Sequence, residues 1–133
     1  MAVLSTESLP LKSEPDVVYV RRRVREVSAQ LGFSLVDQTK VVTAASELAR
    51  NTIIYGGGGE VQLESLNGPR TGLRLVFEDK GPGIPDIELA LKNGYTTGSG
   101  MGLGLGGAKR LVNDFDIVSR VGEGTKITIT RWK

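Results

Sequence analysis

The sequence predicts an α/β two-layer sandwich: one mixed, mostly antiparallel sheet covered on one face by helices. Three observations predict it. Two long stretches, starting near Glu14 and Leu35, carry apolar residues at spacings of three and four. Five short runs alternate apolar with polar residues, and turn residues join two pairs of them into hairpins. Glycine is concentrated between elements, with seven between Gly94 and Gly107 and two more at Gly81 and Gly83. Its 133 residues and 14.2 kDa suit a single domain spanning residues 1–133.

The elements follow in order. Residues 6–12 alternate weakly, with Leu9 and Leu11 on one side, and read as a first strand. Ser13-Glu14-Pro15-Asp16 offers a helix cap, an acidic first turn and an early proline. Val17, Val20, Val24, Val27 and Leu31 then form one apolar stripe, which Gly32 ends. Arg21, Arg22, Arg23 and Arg25 lie off that stripe and read as a solvated basic face, with a docking surface for an acidic partner as the alternative. Ser34 and Asp37 repeat the capping pattern for a second helix, Leu35 to Tyr55, with Val41, Ala45, Leu48 and Thr52 as its buried seam. Gly56 to Gly59 breaks it.

Residues 60–66 and 73–78 form a hairpin around the turn 67–72 and deliver Asp79 to a strand end. A short helix is expected over Asp86–Asn93, and residues 94–99 lack apolar periodicity and read as a mobile lid. A helix over about Gly102–Asp114 would bury Leu105, Leu111, Val112 and Phe115. Strands over Asp116–Val121 and Thr125–Trp132 flank Gly122-Glu123-Gly124, a second hairpin turn.

Composition narrows the chemistry. The chain has no cysteine and no histidine, which removes disulfides, thiolate nucleophiles, the commonest general base and the commonest zinc ligand. Carboxylates, hydroxyls, amides and a hard cation such as Mg²⁺ remain. A net charge of +2, with no aromatic-interleaved basic stripe, gives no reason to expect nucleic acid as a partner. The N-terminus lacks a signal-peptide pattern, and no run of about 18 apolar residues occurs, so a soluble cytoplasmic protein with no membrane partner is expected.

The glycines between Gly94 and Gly107 run into a helical pattern. Such a loop bares backbone N–H groups, and a following helix adds its own, so together they suit a phosphate. Gly102-x-Gly104-x-x-Gly107 matches the spacing of the dinucleotide fingerprint, but no strand immediately precedes it. Nor does Lys109 complete a P-loop. The alternative is that these glycines only allow close helix–sheet packing. Glu47 and Asn51, four apart on the second predicted helix, lie on one face. By themselves they are an ordinary pair.

Glu47-Leu48-Ala49-Arg50-Asn51, Asp79-Lys80-Gly81-Pro82-Gly83 and Gly100-Met101-Gly102-Leu103-Gly104-Leu105 occur in this order. They resemble the N, G1 and G2 boxes of the GHKL superfamily of ATPases and kinases, whose nucleotide-binding domain is the Bergerat fold. The resemblance covers nearly the whole chain, including Gly124-Thr125. At finer grain SELARN, EDKGPGIPDIELAL, GYTT and GAKRLVNDFDIVSRVGEGT resemble the stand-alone serine kinases of the bacterial stressosome.

The resemblance implies roles. Asp79 accepts a hydrogen bond from the adenine amino group of ATP, with Gly81 and Gly83 shaping that pocket and Thr125 joining it. Asn51 is a Mg²⁺ ligand. Thr97, Gly100, Gly102, Leu103 and Gly104 belong to the phosphate side. Glu47 orients or deprotonates the attacking hydroxyl, and Arg50 reaches the γ-phosphate or the partner, unless it is simply a surface arginine. No phosphoacceptor histidine is present, and no transducer domain with a catalytic lysine follows, so the acceptor is expected on another protein. In the resembled kinases it is a serine of a STAS-domain antagonist or scaffold, with a downstream phosphatase as a further partner. Two other readings stand beside the stress-response kinase: an anti-sigma factor of the related kinase type, and a non-catalytic module whose nucleotide gates an interaction.

Overall fold

A computed structural model describes residues 2–91 and 104–133. The chain runs β1 (Ala2–Leu11), α1 (Glu14–Gln30), α2 (Leu35–Ile54), β2 (Gly59–Asn67), β3 (Gly72–Asp79), α3 (Ile87–Ala90), α4 (Gly104–Arg110), β4 (Asp114–Arg120) and β5 (Gly124–Trp132). The strands form one sheet in the order β1-β2-β3-β5-β4. All four described ladders are antiparallel, so the sheet is purely antiparallel where a mixed one was expected.

Helix α1 starts where Asp16 satisfies the entering backbone: its carboxylate accepts the N–H of Lys12 at 2.8 Å and of Ser13 at 3.4 Å. In α2 the Ser34 hydroxyl accepts the Asp37 N–H at 3.1 Å. Val17, Val20, Val24 and Val27 of α1 are buried, as are Val41, Ala45, Leu48 and Thr52 of α2. These stripes pack on Val61, Leu63, Leu73, Leu75, Phe77, Ile127 and Ile129, which the two-residue pleat period brings to one face of the sheet. Each fully buried aliphatic side chain contributes about 1.5–3 kcal/mol, so the stripe of four valines is enough to fix α1 in register.

Three elements depart from the sequence reading at their ends. Strand β1 begins at Ala2, four residues early, because its ladder with β2 extends to Asn67 past an irregularity between Val3 and Ser5. Helix α3 keeps only Ile87–Ala90, capped by the Asp86 carboxylate, which accepts the Leu89 N–H at 3.0 Å. Helix α4 stops at Arg110: the Leu111 N–H turns to the Ala108 carbonyl at 3.1 Å, and Asn113 pairs with Thr130 and Trp132 of β5. Phe115 therefore packs from β4, not from a helix. The arginine run is not all solvated either. Arg23 is half-buried and joins Glu7 of β1 to Glu26, both at 2.8 Å, while Arg21, Arg22 and Arg25 are exposed. The expected lid, 94–99, lies outside the described residues.

Candidate functional site

Asp79 is the last residue of β3, paired with Gly59 of β2 on one side and Thr125 of β5 on the other. By the strand alternation it shares the helix-facing side with Phe77. Its Oδ1 accepts the Gly81 N–H at 2.9 Å, a short turn that fixes the carboxylate as the chain leaves the sheet. The loop that follows is fastened to the β4–β5 hairpin. The Gly122 N–H donates to the Pro82 carbonyl at 2.8 Å, and the Ile84 N–H donates to the Ser119 hydroxyl at 2.8 Å. Gly83 sits at φ +79°, and a Cβ there would run into the Arg120 carbonyl. Only glycine fits that place.

Thr125 lies beside this loop, its Oγ1 2.7 Å from the Ser119 Oγ. Asp79, Gly81, Gly83 and Thr125 thus come together at one end of the sheet. Ser119 joins them, and the sequence reading missed it. The signal was there: Ser119 faces Thr125 across the hairpin of Gly122-Glu123-Gly124.

On α2, Glu47 and Asn51 stand one turn apart. The Glu47 side chain is 12% exposed, close to buried for a carboxylate. Arg50 lies 3.6 Å from Glu47 and 3.8 Å from Glu14 of α1. The last turn of α2 carries the chain to the first site: the Asn51 carbonyl accepts the N–H groups of Tyr55 at 3.0 Å and Gly56 at 3.3 Å, and Gly56 abuts both Asp79 and Gly81. Gly104, at φ +68°, opens α4, which packs on α2. Thr97, Gly100, Gly102 and Leu103 lie outside the described residues.

A metal here would not find a carboxylate cage. Among the described residues no group of three or more His, Cys, Asp or Glu side chains converges. One neutral amide, with water and phosphate oxygens, suits Mg²⁺ and does not suit zinc. No helix among the described residues is long and apolar enough to cross a membrane.

Residues 36–133 match the family described as histidine kinase-, DNA gyrase B-, and HSP90-like ATPase. The chain belongs to that family, and its α/β sandwich is that of a GHKL ATP-binding domain. More narrowly, it is 43% identical over 123 residues to the serine/threonine-protein kinase RsbT of Bacillus subtilis (strain 168), an alignment covering 92% of each chain. That kinship places it among the serine/threonine-protein kinases of the family. An anti-sigma F factor of Bacillus licheniformis is 32% identical over 122 residues, covering 85% of this chain and 82% of the relative. The crystal structure of the RsbU and RsbW domains of Rv1364c from Mycobacterium tuberculosis superposes with a TM-score of 0.68 at 24% identity. It covers 96% of this chain and 32% of that one, and speaks for the fold.

Proposed function

We propose that this chain is an ATP- and Mg²⁺-dependent protein-serine kinase that phosphorylates STAS-domain partner proteins in a stress-response partner-switching pathway, in the cytoplasm. The observation that carries the reading is the path from Asn51 to Gly56. It joins the helix bearing Glu47 and Asn51 to the strand end bearing Asp79. An amide for the cation and a carboxylate for the proton of the incoming hydroxyl are parts that phosphoryl transfer asks of a protein, and a second carboxylate serves recognition of the adenine.

In this reading Asp79 accepts the adenine amino group with the oxygen that Gly81 does not hold. Ser119 and Thr125 hold the loop and supply hydroxyls beside it. Asn51 holds Mg²⁺, which neutralises phosphate charge when bound. Glu47, nearly buried and one turn away, takes the proton of the acceptor hydroxyl as that oxygen bonds to the transferred phosphoryl group and ADP leaves. Arg50 meets the phosphoryl group or the partner by leaving Glu14 and Glu47, and contacts of 3.6 and 3.8 Å release it at small cost. Gly104, at the start of α4, lies on the phosphate side.

The likeness to anti-sigma F factors favours a second reading, in which a sigma factor is the bound partner and phosphorylation elsewhere controls its release. The higher identity to RsbT favours the first. A downstream phosphatase activated by binding is a further partner under the kinase reading. A pull-down from native lysate with and without ATP, followed by phosphosite mapping, separates them. Retention of a STAS protein bearing new phosphoserine supports the kinase reading. A sigma factor as the tightest ligand, with no phosphorylated STAS protein, overturns it.

A further inference from the structure

We infer that Gly56 is a positioning residue for base recognition: the volume a side chain would need there is the volume the Asp79 carboxylate occupies. This rests on the reading of Asp79 as the adenine acceptor. The run Gly56–Gly59 is more than a helix stop. Gly57 and Gly58 have φ of +75° and +104°, so their glycines serve the turn. Gly56 is not among the positive-φ glycines, so backbone conformation does not demand glycine there. Close approach does. A Cβ on Gly56 would collide with Cγ of Asp79, lie 2.5 Å from its Oδ2 and 2.6 Å from the Thr52 carbonyl. From the opposite side, a Cβ on Gly81 would lie 2.6 Å from the Gly56 carbonyl oxygen and 2.8 Å from its Cα. Gly56 is thus wedged between the carboxylate and the glycine whose N–H holds Oδ1.

Two consequences follow. With Oδ1 held by Gly81 and Oδ2 lying against a bare Cα, the carboxylate has one orientation, and its remaining acceptor direction is fixed. Any side chain at 56 has to turn the carboxylate or lift the loop at Gly81, and either movement takes the acceptor off the base. The Gly56 N–H also donates to the Asn51 carbonyl, so the helix end bearing Asn51 and the acceptor Asp79 are held at a set separation.

The test compares ADP with purine riboside 5′-diphosphate, which differs only in lacking the 6-amino group, by calorimetry on the parent and Gly56→Ala. The parent should prefer ADP by roughly tenfold to a hundredfold, the span of one charge-assisted hydrogen bond. Gly56→Ala should lose most of that preference while holding purine riboside 5′-diphosphate within about threefold of the parent, since phosphate contacts are untouched. Equal weakening of both nucleotides would make Gly56 a turn residue only and overturn the inference. Unchanged preference would overturn it as well. Should Gly56→Ala not fold, Gly81→Ala presses on the same contact from the other side, and the same collapse of preference is expected; retained preference there overturns the inference. A parent protein that binds both nucleotides equally would instead overturn the adenine reading of Asp79 itself.

Discussion

Replacing Asp79 with asparagine changes one oxygen to an NH₂ and should weaken ATP binding by roughly thirtyfold or more while leaving the fold intact. The structure says why the exchange is not conservative. One carboxylate oxygen accepts the Gly81 N–H at 2.9 Å, and the other is the proposed acceptor for the adenine amino group. An amide has one acceptor. If its oxygen serves Gly81, its NH₂ faces the amino group of the base; if it turns to the base, its NH₂ faces the Gly81 N–H. In either rotamer two donors oppose each other. An unsatisfied polar group costs about 1–3 kcal/mol, and loss of the charge-assisted bond adds a comparable amount. The sum is about 2–6 kcal/mol, a loss of roughly thirtyfold to more than ten-thousandfold in affinity. Asp79 is only half-buried and lies at a strand end, so the melting temperature without nucleotide should stay within a few degrees. Calorimetry with Mg·ATP and a melt of the same sample read both numbers. Unchanged affinity in a folded Asp79→Asn protein would refute the reasoning.

Two further outcomes follow from the geometry. Asn51→Ala should remove the Mg²⁺ dependence of ATP affinity before it removes binding itself, read by titrating ATP with and without Mg²⁺; an unaltered Mg²⁺ dependence would return Asn51 to the surface of α2. The Asp37 carboxylate accepts a hydrogen bond from Arg131 at 2.6 Å, and the guanidinium holds its pKa below the ordinary carboxylate value. A folded pKa lowered in this way stabilises the protein above the unfolded value, and that stability is lost as pH falls through the folded pKa. Asp37→Asn should therefore lower stability by about 1 kcal/mol at neutral pH and by less below about pH 4, measured by urea melts at both pH values.

The parts of the fold that were legible in the sequence are those that one periodicity determines. Val17, Val20, Val24 and Val27 read as a helix stripe, and they are buried as one. Ser34 read as a cap, and its hydroxyl caps. The parts that were not legible depend on partners distant in sequence. The extension of β1 to Ala2 needs the far end of β2, and the edge position leaves its alternation weak. The end of α4 at Arg110 is decided by Asn113 reaching β5, which no local pattern reports. At the site, the strand end marked Asp79, while Gly83 and Thr125 entered only through the resemblance of the motifs to the GHKL boxes. Ser119 was missed although the hairpin register sets it opposite Thr125, whereas Gly56 was not legible, since its place depends on a contact of backbone against carboxylate at Asp79, distant in sequence.

The central claim is that this chain transfers phosphate to a serine of a partner and that Glu47 takes the acceptor proton. The most direct measurement is the initial rate of phosphoserine formation on a STAS-domain partner at saturating Mg·ATP, for the parent and for Glu47→Ala, with ATP affinity measured alongside. A positioned base contributes roughly 10²-fold or more, so transfer by Glu47→Ala should fall by that factor while ATP affinity stays within a few-fold. Undiminished transfer by Glu47→Ala would show that another group is the base, and absence of phosphoserine with the parent protein would contradict the kinase reading altogether.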